Sequence, residues 1–423
     1  MSHRGESSRI EALRQPPPAA PDGGQAREPE PEAPEGHDPA EGGARGGGLV
    51  ARLKRLAPRG LRQKVIPPLG HLRAQYEPRE LRVPRSYTRD RAPEDAPRIS
   101  VVVPSLNYAQ YLSATLASIL EQDYPELELI VCDGGSEDGT LEILRREQER
   151  LAEVHAGPDA GQAEAINRGL DDSSGEILAW VNADDLLLPG TLARVGRYFA
   201  EHPEVDMVYG NRVLIDEQGR DVGVWVTPAH SDDSLQWFDF IPQETAFWRR
   251  SIWETVGGID CGFEYGFDWE LFLRFQRAGA RIERLPRFLG AFRQHEGQKT
   301  RVYQEQALAE LEAIRQDFHG RPVGLAEAQA RAERVLVKAG PHHLLRRTAW
   351  RRAPSVPVDA GPGGASEPDT DESAVAAELG PGEAHLAAER EATAAEGTNG
   401  NASGAQGARH EEEGSESAAP RRN

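Results

Sequence analysis

The chain has 423 residues, a formal net charge of −20 at pH 7 and a hydrophobic content of only 38%. This length would suffice for about two or three average domains. The low apolar content and the uneven distribution of 43 glycines and 31 prolines exclude a chain that is folded throughout. No apolar run approaches the roughly 20 residues that span a bilayer, and the first residues lack the apolar stretch of a secretory signal. We therefore expect a protein that is soluble or peripheral, on the cytoplasmic side of the membrane.

The two ends of the chain are expected to be disordered. Residues 1–48 and 353–423 are rich in Pro, Gly, Glu and Ala and contain few large apolar side chains. Segments of this composition cannot bury enough apolar surface to offset the entropy that is lost on ordering. Much of the negative charge lies in the C-terminal segment, where a charge run is typical of a solubilising acidic tail.

Residues 49–97 form a basic linker, in which Lys and Arg clearly outnumber the acidic residues. Apolar and basic side chains alternate over residues 49–56, and this pattern leaves two interpretations open. The segment is either an amphipathic helix on an anionic membrane surface or a linker that packs on the next domain.

Strands and helices alternate from residue 98 onward. Strands are predicted over residues 98–104, 127–133, 176–181 and 205–210, because each is a short β-branched or apolar run that ends at turn residues. Helices are predicted over residues 107–122, 163–170 and 189–202, and Ser136 is expected to cap a further helix. This alternation with short connections predicts an α/β domain, with a mostly parallel mixed sheet flanked by helices.

The pattern changes after residue 210. Residues 212–226 predict a hairpin with its turn at 217–220, residues 269–277 predict a helix, and residues 288–292 predict a strand. One or two exposed helices are expected between residues 301 and 352. The two cysteines, Cys132 and Cys261, are predicted to lie in core elements, and nothing in their spacing marks a disulfide or a metal pair.

Polar clusters follow three of the predicted strands. In open α/β sheets, ligands bind beyond the carboxyl ends of the strands, so these clusters are expected to line one crevice. They comprise Ser105 and Asn107, then Asp133 with two glycines, then Asn182, Asp184 and Asp185. Two adjacent carboxylates at the end of a buried strand favour a binding site for a divalent cation, Mg²⁺ or Mn²⁺. Substrate phosphates would complete the coordination of that cation. A helix cap would account for one aspartate, although not for two adjacent ones.

Asp133 has two interpretations that the sequence leaves open. Its carboxylate could accept hydrogen bonds from a nucleotide base or ribose, and the glycines after it would let a ligand approach the backbone. A plain Asx turn accounts for the residue equally well. The first strand is followed by Pro104, Ser105, Leu106 and Asn107, so no Gly-x-Gly-x-x-Gly dinucleotide fingerprint is present.

Two further candidates lie in the second half. Asp268 stands in the first turn of an apolar helix, where it is either a helix-dipole partner or a general base. His295 follows a predicted strand among basic and hydroxyl residues, and this setting favours a metal or phosphate ligand.

Together these segments resemble the family-two inverting glycosyltransferases, which have the GT-A fold. The resemblance covers about half of the chain, in the expected order. It runs through Ser100 to Asn107, Leu129 to Thr140, Asp159 to Gly169, Asn182 to Asp185, Gln243 to Arg250, Phe267 to Glu270 and His295.

The resemblance implies a role for each matching residue. Pro104, Ser105, Asn107 and Asp133 would line the nucleotide pocket, and the stretch with Gln162 and Asn167 would close over the diphosphate and sugar. Asn182, Ala183 and Asp184 occupy the Asp-x-Asp position, with Asn in place of the first acid. Asp184, Asp185 and His295 would serve the metal, and Asp268 would be the catalytic base.

These expectations describe an enzyme that moves a sugar from a nucleoside diphosphate sugar to an acceptor hydroxyl, with a glycan or lipid-linked acceptor and no nucleic acid. Two alternatives remain. A nucleotidyltransferase shares a similar nucleotide-binding half, but usually carries a Gly-rich basic loop where Ser105, Leu106 and Asn107 stand. A non-catalytic sugar-nucleotide-binding scaffold would need none of Asp184, Asp185, Asp268 and His295.

Overall fold

The computed structural model describes residues 74–299 and 304–360, all of which lie in the first of two compact units of the chain, Met1–Ala365. The predicted N-terminal tail, residues 49–73 of the basic linker and residues 361–423 lie outside the described residues. Within residues 74–299 and 304–360, no helix has the length and apolar character needed to cross a membrane.

The described elements follow the chain in this order. The strands are β1 (Arg82–Pro84), β2 (Ile99–Ser105), β3 (Leu127–Asp133), β4 (Glu153–Ala156), β5 (Ile177–Trp180), β6 (Leu186–Leu187), β7 (Met207–Ile215), β8 (Asp221–Trp225), β9 (Phe247–Arg249), β10 (Ile282–Arg293) and β11 (Ser355–Pro357). The helices are α1 (Ala109–Leu120), α2 (Thr140–Glu147), α3 (Gln162–Asp172), α4 (Thr191–Glu201), α5 (Asp232–Leu235), α6 (Arg250–Val256), α7 (Phe267–Arg277), α8 (Gln304–His319) and α9 (Leu325–Arg352).

The central sheet confirms the predicted α/β class. Among the described residues it has the order β4-β3-β2-β5-β9-β7-β10-β6, with β8 paired to β7. The first four strands are parallel to one another. Antiparallel pairings are concentrated in the second half, where β9 runs against both of its neighbours. Every residue of β2 is buried, as expected for a strand that has helices over both faces of its sheet.

Successive side chains of the central strands pack into two different hydrophobic cores, one on each face of the sheet. Val101 and Val103 of β2 pack with α1 and α4, whereas Val102 packs on the opposite face with α3 and α7. This alternation follows from the two-residue period of a strand. The two layers of helices therefore fix the strands from both sides, and the carboxyl ends of β2, β3 and β5 emerge at one edge.

The contact between α3 and the sheet depends on Gly169. A Cβ atom at this residue would lie 2.8 Å from a methyl group of Val102 and 2.9 Å from the Cys132 sulfur. Alanine inside a helix normally stabilises it by about 0.5–1 kcal/mol relative to glycine. We expect Gly169→Ala instead to lower the free energy of unfolding by about 1–3 kcal/mol, through overpacking, as measured by urea denaturation.

Gly324→Ala is the matched control, since a Cβ there meets nothing within 4 Å. Its effect should stay within about 0.5 kcal/mol. A Gly169→Ala protein as stable as the wild type would show that α3 does not depend on this close approach.

One helix start and one strand differ from the sequence-based prediction. Helix α2 begins at Thr140, and Asp138 accepts hydrogen bonds from its backbone N–H and hydroxyl, so Ser136 is not the cap. The predicted strand 205–210 and the first arm of the hairpin are one continuous strand, β7. The hairpin itself is confirmed, because β7 and β8 pair antiparallel around the predicted turn.

The folded region also extends past both expected boundaries. Strand β11 lies within the segment assigned to the acidic tail, yet it pairs antiparallel with β1 of the basic linker. Val83 of β1 is fully buried. Composition missed this two-stranded sheet because each strand has only three residues and depends on a partner more than 270 residues away.

Two smaller corrections concern burial. Helices α8 and α9 are not exposed throughout, since Ile314 and Ala332 join the core that contains α7 and the ring of Trp350 packs against that of Phe288. Cys132 is buried as predicted, but Cys261 is exposed, because it stands in the loop that precedes α7 and not in a core element.

Candidate active site

The ends of β2 and β3 are joined by a network around Asp133. Its carboxylate is completely buried and accepts hydrogen bonds from the N–H groups of Gly135 and Ser136 and from the Ser136 hydroxyl. The Ser136 hydroxyl in turn accepts the Asn107 N–H at 2.7 Å. The Asx turn is therefore present in the structure, and it holds the two strand-end loops together.

Two features at the end of β2 are consistent with a bound ligand, the unpartnered hydroxyl of Ser105 and the backbone conformation of Asn107. Pro104 lies in β2 opposite Cys132, and the next residue, Ser105, has a buried hydroxyl with no hydrogen-bond partner among the described residues. Such a group is costly to bury alone. Asn107 has a positive φ of 59°, an uncommon conformation that marks a constrained loop. Its side chain accepts the Glu137 N–H at 2.9 Å.

Asp184 and Asp185 lie just beyond the end of β5, and strand pairing decides what faces them. β6 follows immediately and pairs antiparallel with β10, with Leu187 opposite Gly290 and Leu186 opposite Ala291. This register places both aspartates beside Arg293 and His295. The two aspartates are 7% and 1% exposed, so their charges have little access to bulk water.

Arg293 is the residue that ties this cluster together. Its backbone N–H donates to Asp185 Oδ1 at 3.0 Å, and its Nε donates to the Asp184 carbonyl at 2.8 Å. The guanidinium also donates to the carbonyls of Asp216 and Glu217 and lies 4.9 Å from the centre of the Tyr111 ring. Burial lowers the pKa of Arg293, and the two aspartates oppose that shift.

His295 links Asp184 to an open cleft. Its Nε2 lies 2.9 Å from Asp184 Oδ2, and its ring packs 5.0 Å from the ring of Tyr111. The adjoining cleft has a volume of about 380 Å³, within the usual range for small-molecule pockets. Its lining comprises Leu106, Asn107, Tyr108, Gln110, Tyr111, Glu217, His295, Glu296 and Gly297. Burial, together with Asp184 and Asp185, raises the pKa of Tyr108.

Gln162 and Asn167 of helix α3 have different surroundings. The Gln162 amide donates to Asn182 Oδ1 at 2.8 Å, which brings the start of α3 to the aspartate loop. Asn167 exchanges hydrogen bonds with both backbone groups of Ile259. Its amide thus holds the loop before α7.

Asp268 lies in the first turn of α7, beside a second carboxylate. Its Oδ1 accepts the Trp269 N–H at 2.8 Å, and burial raises its pKa to about 6. Burial and repulsion from Asp268 raise the pKa of Asp239, whose Oδ1 has no hydrogen-bond partner among the described residues. A carboxylate with a pKa near 6 can accept a proton close to neutral pH.

A buried ion pair lies close to these acids. Arg212 of β7 donates from Nε and Nη2 to the two Glu244 oxygens at 2.8 and 2.5 Å. The guanidinium also stacks 4.5 Å from the centre of the Phe292 ring. Its charge favours the ionised forms of Asp185, Asp239 and Asp268.

The donor set fits a divalent ion that is shared with a substrate. Among the described residues, no three His, Cys, Asp or Glu side chains are grouped so as to hold an ion by themselves. Asp184 and His295 nevertheless converge at 2.9 Å beside Asp185. Mg²⁺ and similar ions bind through one or two carboxylates when phosphates and water complete their coordination. The residues present match that arrangement.

Sequence analysis missed Tyr108, Tyr111, Arg212, Asp239 and Glu244. Glu244 lies within the segment Gln243 to Arg250 that carries the family resemblance, although no role was assigned to it. The other four have no local motif that distinguishes them from core or surface residues. The available signal for a functional residue was a basic or acidic side chain within an otherwise apolar strand or aromatic run. Such side chains are rarely buried without a partner. Arg212 and Asp239 both met that criterion in the sequence.

The fold is an α/β domain with buried acidic side chains beyond its strand ends. Comparison with known proteins identifies the family. Residues 100–258 match the domain described as glycosyl transferase family 2. The chain is 35% identical over 183 residues to the "PGL/p-HBAD biosynthesis glycosyltransferase" of Mycobacterium bovis, covering 42% of this chain and 70% of that protein.

The chain belongs to glycosyltransferase family 2. It is also 30% identical over 191 residues to the "O-antigen biosynthesis protein RfbC" of Myxococcus xanthus, covering 44% of this chain and 15% of that protein. A solved mannosyltransferase from Pyrobaculum calidifontis, in complex with GDP-Man and Mn²⁺, has a TM-score of 0.43 and 23% identity, covering 72% of this chain and 82% of that one.

Proposed function

We propose that this glycosyltransferase moves a sugar, with inversion, from a nucleoside diphosphate sugar to an acceptor hydroxyl. The observation that carries the proposal is the juxtaposition of two acidic centres of different character. Asp184, Asp185 and His295 suit a cation and a diphosphate, whereas Asp268, with a pKa near 6, suits a base. Neither a scaffold nor a bare nucleotide-binding domain needs both a cation-binding centre and a separate carboxylate that can act as a base.

The proposed reaction is a single displacement. The acceptor oxygen attacks the anomeric carbon, the bond from that carbon to the diphosphate oxygen breaks, and Asp268 takes the acceptor proton. One displacement inverts the anomeric centre, as in inverting hydrolysis. The products are the glycoside and the nucleoside diphosphate. Ser105, Asn107 and Asp133 are proposed to line the nucleotide pocket, and Gln162 with Asn182 its sugar side.

Asp184 and His295 would hold Mg²⁺ or Mn²⁺, with Asp185 beside them. A cation there would offset the charge of the departing diphosphate. Arg293 organises this group through the backbone and side-chain contacts described above, so the cluster does not have to rearrange around each substrate.

The acceptor is proposed to be a glycan or a lipid-linked sugar. The printed names of the two relatives, which refer to PGL/p-HBAD and O-antigen biosynthesis, support this class of acceptor. The basic segment before residue 74 would suit an anionic membrane surface at the cytoplasmic side.

We expect the sugar nucleotide to stabilise the protein. UDP-, GDP- and dTDP-sugars are screened with Mn²⁺ by thermal unfolding, and the matching donor at 100 times its Kd should add about 2.7 kcal/mol. This corresponds to a rise in Tm of roughly 5 °C or more. The parent nucleoside with Mn²⁺ is the control, because it lacks the diphosphate.

The released product separates this function from its alternatives. A glycosyltransferase releases nucleoside diphosphate, whereas a nucleotidyltransferase releases inorganic diphosphate. A scaffold would be stabilised by a sugar nucleotide without turning it over. The absence of any shift across the donor panel would contradict the proposed donor class.

A further inference from the structure

The carboxylate of Glu310, in helix α8, lies at the start of helix α7. It accepts the backbone N–H groups of three successive residues, Glu264, Tyr265 and Gly266, at 3.1, 2.8 and 3.3 Å. Successive N–H groups that converge on one point form a concave site for an anion, and the N-terminus of a helix adds a partial positive charge. A carboxylate from another helix therefore occupies this anion site.

Helix α7 has no capping side chain of its own. Its N-cap residue is Gly266, whereas Ser, Thr, Asp or Asn at this position would supply a capping oxygen. A Cβ atom at Gly266 would lie 2.7 Å from Ile314 Cδ1 and 3.2 Å from Leu311 Cδ2, so the packing of α8 leaves little room for a larger residue. Glu310, 44 residues further along the chain, supplies the acceptor instead.

Gly266 also links Glu310 to the first turn of α7. Its N–H donates to Glu310, and its carbonyl accepts the Glu270 N–H at 3.0 Å. The second bond closes the turn that contains Asp268, whose Oδ1 accepts the Trp269 N–H at 2.8 Å. The location of Asp268 is therefore tied to Glu310 through a residue only two positions before it.

Two further contacts hold the surroundings of this turn. On the side of the sheet, the ring of Phe267 packs 6.0 Å from that of Trp180 in β5. Before the turn, the Lys299 ammonium lies 3.2 Å from a carboxylate oxygen of Glu264 and 5.2 Å from the centre of the Tyr265 ring. Neither contact accepts the backbone N–H groups that Glu310 accepts, so neither can replace it.

We propose that Glu310 is a positioning residue, which caps α7 from α8 and holds its first turn so that the Asp268 carboxylate faces the acceptor hydroxyl. This role rests on the proposed function, in which Asp268 is the base. It gives α8 a part in the reaction, although that helix lies beyond residues 100–258, which match the family domain.

The test compares Glu310→Ala and Glu310→Gln with the wild type in the full chain. Glu310→Ala removes the acceptor of three N–H groups, and kcat should fall by about 10-fold to 100-fold, because a small displacement of a catalytic group has effects of this size. The KM for the sugar nucleotide should stay close to the wild-type value, since the proposed nucleotide pocket lies at the ends of β2 and β3. Glu310→Gln retains one acceptor oxygen and should recover part of the loss.

A double-mutant cycle with Asp268→Asn separates positioning from a general effect on folding. If Glu310 acts through Asp268, the double variant should lose no more kcat than Asp268→Asn alone. Additive losses would overturn the proposal, as would an unchanged kcat in Glu310→Ala. Glu310→Gln takes its place in the cycle if Glu310→Ala does not fold. Glu305→Gln, an exposed residue on another face of α8, is the matched control and should leave kcat unchanged.

Hydrogen exchange, followed by NMR without substrate, distinguishes failure of this role from failure of the proposed function. In Glu310→Ala the N–H groups of Trp269 and Glu270 should exchange at least about tenfold faster than in the wild type, because the first turn opens more often. Glu305→Gln should exchange as the wild type does. Faster exchange in a protein that turns over no sugar nucleotide would retain the hold of Glu310 on the turn and contradict the proposed function. Unchanged exchange at both groups would overturn the role of Glu310.

Discussion

Replacing Asp268 with Asn is expected to reduce release of nucleoside diphosphate by roughly 100-fold to 10,000-fold, the usual contribution of a general base. Asn has nearly the same shape and can still accept the Trp269 N–H, but it cannot take the acceptor proton. The loss should appear in kcat, with the donor-induced rise in Tm retained. Steady-state product release and thermal unfolding measure the two effects.

The pH dependence of the wild type gives a second measurement on the same residue. Because burial raises the pKa of Asp268 to about 6, the base is protonated below that pH and kcat/KM should fall as the pH drops through about 6. Glu254→Gln, on the exposed face of α6, is the matched control and should change turnover less than twofold. Full turnover by Asp268→Asn would remove this residue from the mechanism.

Asp184→Asn is expected to weaken Mn²⁺ binding more than Asp185→Asn. Asp185 already uses both oxygens within the protein, since it accepts the Arg293 N–H and an N–H of the Asn182 amide. Asp184 Oδ2 faces His295, and a cation could take the place of that contact. We expect a loss of affinity of about 100-fold or more for Asp184→Asn, whereas the loss for a supporting residue such as Asp185 should stay between about 10-fold and 100-fold.

Calorimetric titration of Mn²⁺ into protein saturated with the nucleoside diphosphate measures this difference without turnover. His295→Ala should also weaken binding, and Glu254→Gln should not. Equal affinity in Asp184→Asn and the wild type would place the ion elsewhere. A larger loss for Asp185→Asn would reverse the assignment of the direct ligand.

The α/β class could be predicted from short apolar strands that alternate with helical spacing. β2 and β3 were recognised as short β-branched or apolar runs that end at turn residues, because strands covered on both faces have no alternation of apolar and polar side chains. The element boundaries were harder, as β7 shows. Its nine residues were divided at residue 210 because part of the strand has a central-sheet pattern and part belongs to a hairpin.

Most of the candidate site was predictable where chemistry coincided with a strand end, and Asp268, in the first turn of α7, was assigned as the base through the family resemblance. Asp133, Asp184 and Asp185 follow apolar strands, so their location beyond the sheet was apparent from local order alone. Asp239 and Arg212 have no such marker. Their importance arises from burial next to Asp268 and Glu244, and sequence separation conceals that proximity.

The sequence by itself determined the class of the domain and the acids at the strand ends, because these depend on local period and local composition. Tertiary structure alone decided which groups meet. The pairing of β6 with β10 brings Arg293 and His295 to aspartates more than 100 residues away. The pairing of β1 with β11 closes the two ends of the fold. Each pairing involves a strand of only two or three residues, β6 in the first and both β1 and β11 in the second. Such short strands leave almost no signal in composition or periodicity.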